Sequence, residues 1–226
     1  MVAAEGRVRV NPFGLVGHQL VGFGWNNKTR VDLEQDPTNI ANALLRLEFP
    51  RLNDPGPVLR RILERFFPQL LAPVVPLERS SSTWAVYYNF DQYLWSPQGH
   101  PDRGIGLFFR FGASDGVVNP IRWAYNVGLS GNGIVPGRPR DTFGVGWART
   151  EIRNNFVSFS RQRLDIGLDK EDAVEMYYNA SITRWLNATL DLQIIDQALK
   201  KKLDSSGRLT DMGTAVIAGF RLYERF

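Results

Sequence analysis

The chain contains 226 residues with a formal net charge of +4, 43% hydrophobic residues and a mean hydropathy of −0.23. Cysteine is absent, which excludes disulfides, thiolate metal sites and cysteine nucleophiles. No run of residues approaches the roughly 18 consecutive apolar residues that a transmembrane helix needs. The lysines and arginines are scattered among acids, so nucleic-acid binding has no support.

Nine segments alternate between apolar and polar residues with the period of two that is typical of β-strands. In chain order these segments are 5–10, 15–26, 83–95, 104–112, 120–131, 141–150, 173–183, 187–196 and 213–226. Most have roughly the 9–11 residues that a tilted strand needs to cross a bilayer. The sequence therefore predicts an all-β protein with about eight or nine antiparallel strands.

The two faces of the predicted strands differ in composition. One face is aromatic and aliphatic, as Val216, Phe220 and Leu222 of the last strand illustrate. The other face carries arginine, asparagine, aspartate, glutamine and glycine. A soluble sandwich would have its apolar face inward and lysine and glutamate outward. A membrane barrel instead has an apolar exterior that faces lipid and a polar lumen that is filled with water. The pattern favours an antiparallel transmembrane β-barrel over the sandwich.

Nine is an odd number of strands, whereas single-chain bacterial barrels have even numbers. A barrel of about eight strands is also filled by its own side chains. We therefore expect either a small narrow barrel or the C-terminal part of a wider one. The first ten residues have no charged-then-apolar signal pattern, so either a signal was removed or the chain starts partway through a longer protein, and the strand count favours the second. The last strand ends on Phe226, as outer-membrane barrels commonly do, although Glu224 interrupts its apolar face.

The connection 27–82 is far longer than an ordinary loop and falls on the predicted extracellular side. Two helical patterns lie in it, one after Thr38 as a predicted N-cap and one after Pro57 as a first-turn proline. Their apolar positions are Ile40, Ala43, Leu44 and Leu47, then Val58, Leu59, Ile62, Leu63 and Phe66, with Arg60, Arg61 and Arg65 along the second helix. We interpret this insertion as a plug or lid that covers its own apolar face. A membrane-surface helix and a contact with a missing part of the protein are the alternatives.

Polar and aromatic residues on the second face are the candidate pore-lining and substrate-binding residues. Arginine, asparagine, aspartate and glutamine offer hydrogen bonds, and aromatic rings offer stacking, to a polar molecule in the lumen. We expect the arginines and acids to form an ion-paired ladder across the lumen. The candidates are Arg110, Arg122, Arg221, Tyr87, Asn89, Asp91, Glu175, Tyr177, Asn179, Asp191 and Gln193.

Catalytic and cofactor motifs are weak in this sequence. His18 and His100 are far apart and have no metal-ligand spacing, and no Gly-x-Ser-x-Gly elbow is present. The pairs of glycines at 22/24, 104/106 and 144/146 lie within strand patterns. We interpret them not as nucleotide fingerprints but as wall glycines, which make room at the surface of the sheet or permit it to curve. The turn 137–141 predicts a rigid bend with an arginine–aspartate pair. We expect no enzyme activity, no cofactor and no metal.

Four stretches carry a resemblance to a known family. The most specific is Gly-x-x-Pro-Gly-Arg-Pro-x-Asp-x-x-Gly-x-Gly over residues 133–146, and residues 17–24, 87–95 and 175–193 extend it. Together they resemble the carbohydrate-selective porin family typified by OprB. The resemblance implies a 16-stranded outer-membrane barrel that passes monosaccharides by diffusion, of which this chain is similar to the C-terminal half. The 27–82 insertion is longer than the family pattern leads us to expect.

The predicted function is therefore that of a porin in the bacterial outer membrane that allows passive diffusion of small sugars. Its expected partners are sugars, outer-membrane lipid, and either further copies of the chain or a missing N-terminal half. Two alternatives stay open at this level. One is a soluble or surface β-rich module that binds carbohydrate or a partner, and the other is an inactive, truncated fragment of a porin.

Overall fold

A computed structural model describes residues 1–33, 35, 37–73, 75–153, 170–203 and 208–225. Its helices are α1 (Pro37–Glu48) and α2 (Pro57–Phe66), with short 3₁₀ turns at Pro12–Gly14, Pro50–Leu52 and Pro68–Leu71. Its strands are β1 (Val2–Val10), β2 (Gly17–Asn26), β3 (Arg30–Val31), β4 (Arg79–Ser80), β5 (Thr83–Trp95), β6 (Gly104–Ser114), β7 (Ile121–Asn132), β8 (Thr142–Ile152), β9 (Glu171–Ser181), β10 (Leu186–Asp196), β11 (Lys201–Leu203), β12 (Leu209–Asp211) and β13 (Ala215–Glu224). Phe226, on which the prediction for the end of the last strand depends, lies outside the described residues.

Nine strands form one sheet in the order β1–β2–β5–β6–β7–β8–β9–β10–β13. All neighbouring pairs are antiparallel. The predicted all-β fold and its nine strands are confirmed, with strand ends within three residues of those expected. Within the described ranges, β1 pairs only with β2 and β13 only with β10. The sheet is therefore open and does not close into a narrow barrel.

The sheet is a single layer with an exposed apolar face. Among the described residues, Leu63 and Ala113 are the only buried hydrophobic side chains. On the outward side of the last two strands, Leu190, Phe220 and Leu222 are exposed, and 66% of Phe220 is accessible. Soluble monomers rarely expose contiguous apolar patches of this kind. This surface therefore requires a covering that the described part of the chain does not supply.

The two ends of the sheet carry different connections. At one end, which we call the turn end, the connections are 11–16, 96–103, 133–141 and 182–185. At the opposite end, the loop end, they include the long segment 27–82 and the short loop 115–120. The 115–120 loop is short, although it lies at the same end of the sheet as the long 27–82 segment. Most of the connection between β8 and β9 lies outside the described residues.

The turn 133–141 is held by one buried carboxylate. Asp141 is 1% exposed and accepts hydrogen bonds from Arg138 Nε at 2.7 Å, Tyr178 Oη at 2.5 Å and the Ser181 amide at 3.0 Å. Gly137 has a φ of +74°, a left-handed conformation that strongly favours glycine. The predicted arginine–aspartate pair is confirmed. The bonds from Tyr178 and Ser181 to Asp141 join this turn to the end of β9.

Both predicted helices of the 27–82 segment are present. α2 begins at Pro57 after Gly56, as expected. The prediction of Thr38 as an N-cap is wrong, because α1 begins at Pro37 and Thr38 is its second residue. Proline suits a first helical position, where no N–H partner is needed. In the described part of the chain, no helix has both the length and the apolar character needed to cross a membrane.

The segment is fastened to itself and to the loop end of the sheet. Arg46 Nη2 donates to the carbonyls of Leu70 at 3.0 Å and Ala72 at 2.8 Å, and the Leu33 amide donates to the Val117 carbonyl at 2.7 Å. The expectation that the insertion covers its own apolar face holds for Leu63 of α2, which is buried, but is wrong for Val58, which is 73% exposed. Apolar periodicity identifies a stripe, but it does not identify what covers that stripe.

Candidate functional site

Strand register brings the predicted site residues onto one face of the sheet. Residues directly opposite each other on neighbouring strands project to the same side. One such row of paired residues crosses the sheet through His18, Asp91, Phe108, Gly128, Gly146, Glu175 and Gln193. Parallel rows add the pairs Asn89–Arg110 and Tyr177–Asp191. We call this side the polar face.

Ten of the eleven predicted residues share the polar face by register. Tyr87 is directly opposite Gly22 on β2 and Gly112 on β6, which share this face. Arg221 is directly opposite Thr189, and Thr189 is opposite Asn179. Charges of both signs are interspersed on this face, with arginines on β1, β6 and β13 and acids on β1, β5, β9 and β10. The face is therefore polar and close to neutral.

Arg122 departs from this arrangement. It lies at an irregularity of the β7–β8 register between Ile121 and Trp123, so the ladder does not assign it to the polar face. Its guanidinium lies 5.7 Å from the centroid of the Trp123 ring. Its aliphatic stem lies close to Gly116 in the 115–120 loop. These contacts place Arg122 at the loop end of the sheet, away from the rows that join the other candidates.

Phe108 lies at the centre of the polar face. Three shallow cavities of about 170–180 Å³ adjoin its ring, and between them they are lined by polar-face residues from β1 to β9. The ring crosses two glycines: its Cζ is 2.4 Å from the position that a Cβ would take on Gly128 and 3.3 Å from that position on Gly146. Aromatic residues that cover glycines on neighbouring strands also pin the sheet register.

The same arrangement recurs elsewhere on this face. The Tyr177 ring covers Gly144, and the Tyr87 ring covers Gly22 while its hydroxyl donates to Glu5. The interpretation of Gly22, Gly144 and Gly146 as wall glycines is therefore confirmed. Each gives room to a ring from a neighbouring strand, and the rings lie along the wall.

The expected ion-paired ladder of arginines and acids is wrong for the described residues. Arg110 and Arg221 form no salt bridge within this part of the chain. The acids have other partners: Asp91 contacts His18 Nδ1 at 2.8 Å, and Asp191 accepts from Gln193 Nε2 at 3.4 Å. Because Arg110 is exposed, its guanidinium donors are available to molecules at the polar face.

Two features of this face were missed at the level of sequence. Phe108 lies two residues from Arg110 on the same strand face, and Asn126 pairs with Arg110 across β6 and β7. The sequence signal that could have identified Phe108 is an aromatic residue among polar ones on a strand, with glycines on the next two strands. No group of three His, Asp or Glu side chains with metal-binding geometry occurs in the described ranges.

A single-layer antiparallel sheet with an apolar outer face, a polar inner face and aromatic rings over wall glycines defines the wall of a porin-type β-barrel. The sequence profile described as "Carbohydrate-selective porin, OprB family" matches residues 1–226. The chain belongs to the OprB family of carbohydrate-selective porins.

Individual relatives agree with this family. Over 150 residues the chain is 27% identical to Porin B of Pseudomonas aeruginosa, an alignment that covers 60% of this chain and 31% of that protein. The high-pH structure of Pseudomonas putida OprB superposes with a TM-score of 0.69 at 20% identity, over 98% of this chain and 47% of that one. The low-pH structure gives 0.53 at 18% identity, over 98% and 45%. The chain thus spans about half the length of the solved structures it resembles.

Proposed function

We propose that the chain forms part of the wall of a bacterial outer-membrane channel through which small sugars diffuse passively. The observation that carries this proposal is the opposite character of the two faces of one sheet layer. Lipid is the natural covering for the exposed apolar face, and an aqueous lumen suits the polar face. Family membership supports the same function.

The polar face around Phe108 has the chemistry of a sugar contact. A sugar presents hydroxyl groups at its edges and an apolar ring face. Arg110, Asn89 and Asn126 lie side by side across β5, β6 and β7 and offer hydrogen-bond donors. Phe108, two residues from Arg110, offers a ring for stacking. We assign the other predicted residues on this face, from Tyr87 to Arg221, to the lining of the pore.

A complete pore requires strands that pair with β1 and β13. Alternation over nine antiparallel strands makes these two edge strands run in the same direction, so direct closure would create a parallel pair. Two copies of this sheet would create two parallel seams. A complement with an odd number of strands keeps every pair antiparallel. We therefore favour a complementary set of strands over simple pairing of two copies.

A soluble carbohydrate-binding module is the second candidate function, and the exposed apolar face argues against it. A module of that kind would stay in solution without detergent. A membrane-inserted wall would partition into detergent and change its gel mobility on heating. This fractionation separates the two functions before any transport is measured.

Planar-bilayer conductance of the refolded chain, with and without glucose or maltose, tests the channel itself. Discrete openings that sugar partly blocks would support a carbohydrate-selective pore. A β-rich protein that inserts but never opens would instead support the requirement for complementary strands, and adding such a complement should then restore conductance. Insertion with openings that sugar leaves unchanged would contradict the proposed selectivity.

We predict that Arg110→Ala weakens sugar block of the channel without preventing insertion. The substitution removes hydrogen-bond donors to a hydroxyl group, and one such bond contributes about 1 kcal/mol, or roughly a fivefold change in affinity. Arg122→Ala should have a smaller effect, because Arg122 lies against Trp123 and the 115–120 loop. Arg184→Ala, in the turn 182–185, is the matched control. Unchanged block in Arg110→Ala would remove this residue from the sugar path.

A further inference from the structure

The helix α2 has two apolar sides with different surroundings. Leu63 is 4% exposed, and Leu59 beside it is half-buried. Val58, Ile62 and Phe66 recur every four residues along an adjacent stripe, and all three are exposed. Within the described part of the chain, this outer stripe has no covering. We call it the α2 stripe.

Arginines border the α2 stripe. At 100° per residue, Arg61 and Arg65 lie along one edge of the stripe. The Arg65 guanidinium lies 5.6 Å from the centroid of the Phe66 ring. Arg60 lies on the far side of the helix, where its Nε contacts Glu64 Oε1 at 3.1 Å. Apolar residues flanked by arginines are typical of a helix that lies in a membrane interface.

The position of the segment in the fold agrees with that pattern. The segment leaves β2 and returns to β5 at the loop end, where Trp25 and Trp84 form a cross-strand pair on the apolar face. Both indole rings are partly exposed, and tryptophan is enriched at membrane–water interfaces. The bond from Leu33 to Val117 holds the segment at this end of the sheet. The segment that carries α2 is therefore held at the end of the sheet where lipid headgroups would lie.

We propose that α2 binds the anionic outer surface of the membrane that surrounds the sheet. The α2 stripe inserts below the headgroups, and Arg61 and Arg65 bind lipid phosphates. Charge complementarity selects this partner, because the ten residues of α2 contain three arginines and one glutamate and anionic lipids attract such segments. This inference rests on the proposed function, since it requires the apolar face of the sheet to be in lipid.

The absence of cysteine makes a site-specific test direct. Ile62→Cys is labelled with an environment-sensitive fluorophore in the full chain, which is reconstituted into phosphatidylcholine vesicles with or without phosphatidylglycerol. Glu64→Cys, on the opposite side of the same helix, is the matched control. We expect brominated lipid to quench the label at position 62 far more than the label at position 64, and only when phosphatidylglycerol is present. Arg61→Gln with Arg65→Gln should lower the membrane-bound fraction of the helix by about an order of magnitude.

A label at Phe220→Cys, on the apolar face of β13, reports separately on insertion of the sheet. If position 220 is quenched by lipid but position 62 is quenched by aqueous iodide, α2 lies in solvent and only this inference fails. If position 62 is protected from both quenchers, α2 packs against protein and the inference also fails. If position 220 is not quenched by lipid, the proposed membrane function and this inference fail together.

Discussion

Replacing Asp141 with alanine is expected to destabilise the sheet by about 3 kcal/mol, because three hydrogen-bond donors lose a buried acceptor. These donors are Arg138, Tyr178 and the Ser181 amide. The turn 133–141 would then lose its connection to the end of β9. Urea unfolding in lipid vesicles, followed by tryptophan fluorescence, measures this loss. Arg140→Ala, an exposed neighbour in the same turn, is the control and should change little.

The same carboxylate predicts a dependence of stability on pH. Burial acts to raise the pKa of Asp141, but the hydrogen bonds from Arg138, Tyr178 and Ser181 outweigh it and hold the pKa below its ordinary value of 3.8. A carboxyl whose pKa is lowered by folding stabilises the fold above its unfolded pKa. That contribution should be present above about pH 4 and lost as pH falls through the lowered pKa. A pH profile in Asp141→Asn that matches the parent chain would contradict this assignment.

Gly128→Ala is expected to destabilise the sheet by about 2 kcal/mol through overpacking. A Cβ at this position would lie 2.4 Å from Phe108 Cζ and 2.6 Å from the carbonyl oxygen of Val145. The ring can move, but the backbone oxygen belongs to the β7–β8 ladder and cannot move without breaking the pairing. Urea unfolding of the reconstituted chain measures the loss. Conductance measurements would also show whether displacement of the Phe108 ring changes the block of the channel by sugar.

A matched glycine makes this prediction specific. Gly24 also lies within a strand on the polar face, but no heavy atom lies within 4 Å of its Cβ position. Gly24→Ala should therefore be neutral or slightly stabilising, as expected for glycine within a strand. In a Phe108→Ala background the clash with the ring is gone but the contact with the Val145 carbonyl remains, so Gly128→Ala should cost less there than in the parent chain, yet still cost something. Equal effects of Gly24→Ala and Gly128→Ala would contradict the prediction, because they would show that contacts of the added Cβ with the Phe108 ring and the Val145 carbonyl do not destabilise the sheet.

The strands and their faces could be predicted from the sequence because a period of two assigns each residue to a side without knowledge of its neighbours. Ten of the candidate residues consequently share a face, as expected. Arg122 does not follow the pattern, since a register irregularity beside Ile121 breaks the alternation locally. Whether these residues line a sugar path stays a prediction that transport measurements must test.

Side-chain contacts between strands could not be predicted from the sequence pattern, because they depend on which strands pair and in which register. Asp141 and Tyr178 are 37 positions apart, and the contact between them depends on the exact pairing of β8 with β9. The same is true of Phe108 and its two glycines, which belong to three different strands. A shared face predicts the ion-paired ladder, but an ion pair also needs opposite charges at neighbouring positions on adjacent strands. In the described sheet Arg110 instead adjoins Asn89 and Asn126.

The order of strands in the sheet has a consequence for how the protein is made. Each strand of the large sheet lies beside its neighbour along the chain, so the sheet can grow one hairpin at a time, with short connections at the turn end and long ones at 27–82, 153–170 and 197–214. During this growth the two outermost strands always present unpaired N–H and C=O groups, which are prone to wrong pairing. β1 and β13 stay exposed in this way until complementary strands pair with them. The time between hairpin formation and closure is the period in which a chaperone or an assembly factor would protect this chain most.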